Sequence, residues 1–267
     1  MEILNETFFR YALISGVIIG GLCAYLGIYI ILRRIVFIGL ALSEIAALGV
    51  ALGLFLGWKT DVVSLISVLL GTIFFWKPYR SESYTNESLV GFVYAMASAV
   101  GVLLIVKNPA IESAGIDLIG GNILYTTTSD IWTLLVLSII VFTLHIALAK
   151  EFLFVSFDRE TASTVGLKTN LYEFLLYISI GVVIALSMRT GGIIFVFGSL
   201  IIPPLVSLSI FNKLEYIFIS SVSFAVLSVI VGTFLSYFWD LPTSATVMCL
   251  YGALFIGVNS VKAILNK

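Results

Sequence analysis

Two places in this chain carry side chains whose type and position suit chemistry. The first is the pair Ser43-Glu44, set in the otherwise apolar run IVFIGLALSEIAALGVALGLFLG that comes after Arg33-Arg34. A carboxyl group two turns into a membrane span costs about 2–3 kcal/mol on insertion scales, so it must face protein or a watery path. There it suits a cation ligand or a proton carrier in a pathway. It equally suits a packing residue hydrogen-bonded to a neighbouring span. The second place is the stretch 150–170, KEFLFVSFDRETASTVGLKTN, which holds six of the chain's 14 basic and 15 acidic side chains. Such a stretch cannot lie in hydrocarbon, where its backbone and charges would lose water without compensation. It must sit at a membrane face, either as a plain solvated connection or as a docking segment.

The composition explains why these places stand out. Hydrophobic residues make up 60% of the chain and charged residues 11%, against roughly 25% charged in soluble domains, which points to a polytopic membrane protein embedded in a lipid bilayer. A formal net charge of −1 with no basic stripe argues against a nucleic-acid partner. Cys23 and Cys249 lie far apart inside apolar runs and read as small buried side chains. The opening MEILNETFFR has no basic start followed by a small-residue cleavage site, so the first span is expected to direct insertion itself. There is no phosphate-binding loop ending in Lys-Ser or Lys-Thr, no His-Glu-x-x-His pair, and His145 is the single histidine, which reads as packed or interfacial. The chain is not expected to be an enzyme or to bind a cofactor.

The elements that must position Glu44 and the polar stretch are apolar runs at about 8–32, 35–57, 61–76, 88–106, 131–149, 171–188, 192–211, 215–238 and 244–264. Most approach the ~20 residues that cross a ~30 Å core. The fold class is therefore all-α, a single membrane domain over 1–267 with about nine spans, or eight if one is re-entrant. With the N-terminus outside and the C-terminus inside, ten basic residues fall on inner loops and four on outer ones, the bias expected of a membrane protein. That arrangement puts 150–170 in the cytoplasm, and the expected location is the cell (inner) membrane.

Within the polar stretch, Asp158 suits a helix N-cap, Glu160 and Ala162 come next, and Gly166 suits the stop. Ala162 is the small residue where a partner surface is expected to approach. Gly49, Gly53 and Gly57 recur every four residues and suit close helix contact, either within the chain or between two copies. Gly120-Gly121-Asn122 marks a turn in an outer connection. Pro203-Pro204 interrupts an apolar run and is expected to break or bend its helix. Asp240 and Pro242 read as entry chemistry for the last span.

Four segments together resemble the membrane permease of ABC importers for zinc, manganese and iron: LRRIVFIGLALSEIAALGVALG at 32–53, GGNILYTTTSD at 120–130, FDRETASTVGL at 157–167 and RTGGIIFVFGSLIIPP at 189–204. DLPTSATV at 240–247 supports them. The resemblance implies a homodimer that carries a divalent metal ion, with a cytoplasmic ABC ATPase subunit docked on 157–167 as a coupling helix and an extracytoplasmic metal-binding receptor delivering the ion. Asp158, Glu160, Ala162 and Gly166 would then belong to the coupling segment, and Ser43 and Glu44 to the translocation path. The family commonly has an aspartate, an adjacent Ser-His and a proline before the glycine in its second-span motif. Leu40, Ser43-Glu44 and Leu48 stand there instead. A carboxylate in place of an imidazole leans towards manganese or iron(II) over zinc. A secondary ion transporter coupled through Glu44 is the alternative, and a scaffold whose central loop only recruits a partner is a third reading.

Overall fold

A computed structural model of the chain describes residues 6–76, 85–107 and 126–265. The turn expected at Gly120-Gly121-Asn122 lies outside them. Among the described residues there are ten helices and no strands: α1 (Thr7–Leu32), α2 (Val36–Leu56), α3 (Thr60–Trp76), α4 (Asn86–Val106), α5 (Thr128–Ala147), α6 (Ala149–Phe157), α7 (Arg159–Thr164), α8 (Thr169–Ile210), α9 (Leu214–Trp239) and α10 (Thr243–Leu265). An all-helical answer is what hydrocarbon demands, because a helix satisfies its backbone groups within one segment. Seven of the ten are long and apolar enough to cross a membrane, and α3 is a shorter apolar helix. The nine apolar runs coincide with helices, two of them sharing α8. At about 1.5 Å per residue, the 42 residues of α8 make up about 63 Å of helix in two stretches, together enough for two bilayer cores. Gly192, with φ 72° and ψ 170°, divides it.

The chain gathers into two compact units. The first comprises 1–31, 117–135 and 190–267, and the second 32–116 and 136–189. In the first unit α1 is the central helix, buried along most of its length from Phe9 to Ile30. Phe9 packs its ring 5.1 Å from Phe234 and 5.5 Å from Tyr237 of α9. Tyr251 of α10, almost fully buried, places its hydroxyl 3.2 Å from that of Ser199.

Of the break or bend expected at Pro203-Pro204, the break is a correction. Both prolines sit inside α8, and the only non-helical backbone angles in that helix belong to Gly192. Proline's fixed φ is compatible with a helix. What it removes is the amide that would bond the carbonyl four residues earlier. For Pro204 that carbonyl is Leu200's, and Gly27 of α1 lies against it so closely that an added Cβ would run into the Leu200 oxygen. A glycine Cα thus covers the carbonyl that the proline leaves without a donor, in the manner of a weak C–H···O contact.

In the second unit α2 packs against α3. A Cβ on Gly49 would lie 2.5 Å from Ser64 Cα, and one on Gly53 2.9 Å from Thr60 Cα. The hydroxyl of Ser64 donates to the carbonyl of Ala46 at 3.1 Å. Of the two contacts open to the glycine stripe, Gly49 and Gly53 therefore make the one within the chain, while Gly57 is the left-handed C-cap of α2 at φ 68°.

The Gly27 contact yields a stability prediction. Gly27→Leu forces α1 off the Leu200 carbonyl and is expected to cost about 3 kcal/mol, the upper range for overpacking. Thermal unfolding of the detergent-purified protein measures it. A variant as stable as the parent would show that α1 does not depend on this approach.

Candidate functional site

The polar stretch folds as α6, a corner at Asp158, and the single-turn α7. Asp158 is extended at φ −147° and caps α7, its carboxylate accepting from the Thr161 amide at 3.0 Å and from the Thr161 hydroxyl. These two bonds, the hydroxyl's the stronger influence, hold the Asp158 carboxyl below its ordinary value of 3.8. A depressed acid contributes its cap above the unfolded value and loses it as pH falls through the folded one, so the cap is complete at neutral pH. At the other end, the Gly166 amide donates to Ser163 O and the Leu167 amide to Ala162 O, both at 3.1 Å. That pair of bonds is a Schellman stop, with Gly166 at φ 93° in the left-handed position. The sequence pattern placed both caps.

Ala162 is a correction. It is fully buried, whereas Glu160, Thr161, Ser163, Thr164, Val165 and Gly166 are exposed. A one-turn helix has a single inward face, and the smallest residue takes it so that the turn can lie close to its own chain. Ala162 is the seat of α7 and not the point where a partner approaches. The outward surface carries two large apolar side chains that sequence reasoning passed over, Phe157 at 58% and Val165 at 68% exposure. Phe157 reads as the tail of the apolar letters at 152–155, and Val165 is a single apolar letter between Thr164 and Gly166, so no periodicity marks either as outward.

A second group missed in the sequence lies beneath α7. Glu173, near the start of α8, is buried. Its Oε1 meets Arg33 Nη2 at 2.5 Å and Arg159 Nε at 3.0 Å. Arg159 also donates to Asn170 Oδ1 at 2.8 Å. The Arg33 guanidinium donates from Nη1 to Val155 O at 3.5 Å and lies 5.9 Å over the Tyr177 ring. Arg33, Arg159, Glu173 and Tyr177 border a cavity of about 470 Å³. The signal in the sequence is an acidic letter opening an apolar run, and that pattern reads simply as the start of a span.

In the span that carries the other candidate, Ser43 and Glu44 part company. Ser43 is fully buried, and its hydroxyl donates back to Gly39 O at 3.0 Å. Glu44 is half-buried, with Ser98 of α4 beside it. Consecutive helix positions point about 100° apart, so the pair does not converge on one ion. His145 is buried, with Nε2 3.0 Å from Ser179 Oγ and its ring 4.6 Å from Phe152. It occupies a packed position of the second unit. In the same unit Arg189 pairs with Asp61 at 2.8 Å, both half exposed.

Seven helices of membrane-spanning length and apolarity among the described residues define a multi-pass membrane protein. The family model of the ABC 3 transport family matches residues 5–262, and the chain belongs to that family. It is 29% identical over 259 residues to the manganese transport system membrane protein MntC of Listeria monocytogenes, covering 95% of this chain and 90% of that protein. It is 24% identical over 256 residues to a probable iron transport system membrane protein of Haemophilus influenzae, covering 96% and 90%. In fold it matches PsaBC from Streptococcus pneumoniae, solved in complex with a Fab, with a TM-score of 0.87 at 23% identity, over 96% of this chain and 93% of that one.

The Schellman stop can be tested directly. Gly166→Val places a β-branched residue at φ 93°, costing about 1–2 kcal/mol of left-handed strain. Amide exchange at 161–167 is expected to quicken while the membrane helices keep their protection. Unchanged exchange there would mean that the stop does not hold α7.

Proposed function

We propose that this chain is the permease subunit of an ATP-driven importer of divalent transition-metal ions, with manganese or iron(II) as cargo ahead of zinc. The observation that carries the reading is α7, a helix fixed at both ends that turns Ala162 inward and is flanked by two exposed apolar side chains, Phe157 at the end of α6 and Val165 at its own C-cap. Exposed apolar side chains on an otherwise polar surface fit a groove in a soluble subunit. Family membership and the manganese and iron systems among the relatives support the choice of cargo. Two copies form one pathway, each crossing the membrane nine times, with both halves of α8 counted and α3 crossing as a short span. The N-terminus is outside and the C-terminus inside. A cytoplasmic ATPase docks on α7, and an outer receptor delivers the ion. ATP hydrolysis belongs to the partner, and this chain holds no cofactor of its own.

In this scheme Glu44 lies on the path. Its carboxylate is a hard oxygen ligand, and Ser98 of α4 lies beside it. Closure of the ATPase pair moves α7, and the spans exchange outer for inner access.

Two predictions separate this reading from its rivals. Val165→Asp puts a charge in the docking face without touching a span. It is expected to abolish co-purification of the ATPase and metal uptake together, with the permease still in the membrane. If Val165→Asp protein still binds ATPase and transports metal, α7 is not the coupling site. Glu44→Gln is expected to lower uptake of radioactive manganese about tenfold, or ~1.4 kcal/mol, as for one lost charged ligand. Uptake at the parental rate would make Glu44 a packing residue. Uptake that needs no ATPase would point instead to a secondary transporter.

A further inference from the structure

We propose that Glu173 is the joint through which α7 is linked to the start of α2, the helix that carries Glu44. The inference rests on the coupling role of α7 proposed above, but its geometry stands by itself. Two neighbouring segments and a third that lies 140 residues from Glu173 meet at one buried carboxylate. Arg159 belongs to α7, Glu173 to the second turn of α8, and Arg33 to the short connection that leads into α2. One oxygen, Oε1, takes both guanidinium groups, at 2.5 Å and 3.0 Å. The Arg33 side chain is 12% exposed and that of Glu173 9%, so water screens their pair little, while Arg159 at 51% stays partly solvated. The same Arg33 holds Val155 O in α6. The polar stretch is therefore gripped before α7, within it and after it, and Arg33 shares two of the three grips.

The backbone just past Arg33 makes the link directional. Arg34 has φ 57°, an uncommon angle for a residue with a Cβ, and α2 starts two residues on, at Val36. Ile35, the N-cap of α2, makes no side-chain capping bond. The first turn of α2 is thus held at its cap by the Ile35 carbonyl alone, which accepts from the Ile38 and Gly39 amides at 3.0 and 3.2 Å, and the Arg33 ion pair lies immediately before it. A displacement of α7 pulls on Arg159, shifts Glu173 or strips it of one partner, and reaches Arg33 through the shared oxygen. Glu173 touches no cargo in this scheme. It is a positioning residue.

Glu173→Gln keeps the shape and an acceptor oxygen but removes the charge that both arginines share. Arg159→Gln cuts α7 from the joint and leaves the Arg33–Glu173 pair in place. Hydrogen exchange of the full chain in detergent reads both without relying on transport. Glu173→Gln is expected to quicken amides at 159–165 and at 36–40, each by about tenfold, the loss expected for one charged hydrogen bond. Arg159→Gln should quicken only 159–165. In vesicles with the ATPase, Glu173→Gln should retain ATPase binding and ATP hydrolysis, and both variants should lose metal moved per ATP by about the same factor. The double variant should be no worse than the worse single one, as for residues acting in series. Unchanged exchange at 36–40 in Glu173→Gln, or full metal transport per ATP in that variant, would overturn the joint. A parental chain that captures no ATPase would sink the importer reading instead, while the exchange result would still decide whether α7 and α2 are linked.

Discussion

Hydrocarbon offers no hydrogen bonds, and nearly every feature of this chain derives from that constraint. Where the backbone is a regular helix, the demand is met within each segment. The informative places are those where it is not. Pro204 takes the partner from one carbonyl, and the fold answers with the close approach of a glycine from another helix. Gly192 interrupts α8 close to where the chain passes from one compact unit to the other, and the left-handed Arg34 stands beside another such passage, in the short connection between α1 and α2. Among the described residues, positive φ occurs at three glycines, where it costs little, and at Arg34 and Asp240, which lie outside the helices.

Charge obeys the same logic. Outside the spans the polar stretch is free to hold six ionised residues, yet the strongest electrostatic contact of that stretch is made below it, by a buried acid with two bases. Desolvating such a cluster is expensive, and a pair of apolar residues would fill the volume at less cost. Retaining it makes sense where the contact must exchange partners while the spans stay packed.

Much of the fold was legible in the sequence, because an apolar run of about 20 residues has one outcome in a bilayer. The two caps of α7 were legible for a similar reason: an aspartate that accepts amide bonds and a glycine that takes a positive φ have local effects that tertiary structure seldom reverses. What escaped was relational. Ala162 is small whether it faces a partner or its own chain, and only the fold shows which. Pro203-Pro204 signals lost amides, but whether a helix breaks there depends on what covers the carbonyls. Glu173 and Arg33 are 140 positions apart, a pairing that no window along the chain can contain.

The Gly27–Leu200–Pro204 contact has an evolutionary corollary. Position 27 can accept a side chain only if the segment near 200 withdraws, and withdrawal would leave the Leu200 carbonyl bare as long as position 204 is proline. A change at 204 that restored the amide would relax the requirement at 27, and a later substitution at 27 would then bar the return of proline. The two sites form a one-way gate for sequence drift. In a lineage of such proteins, the order in which they changed would matter as much as the changes themselves.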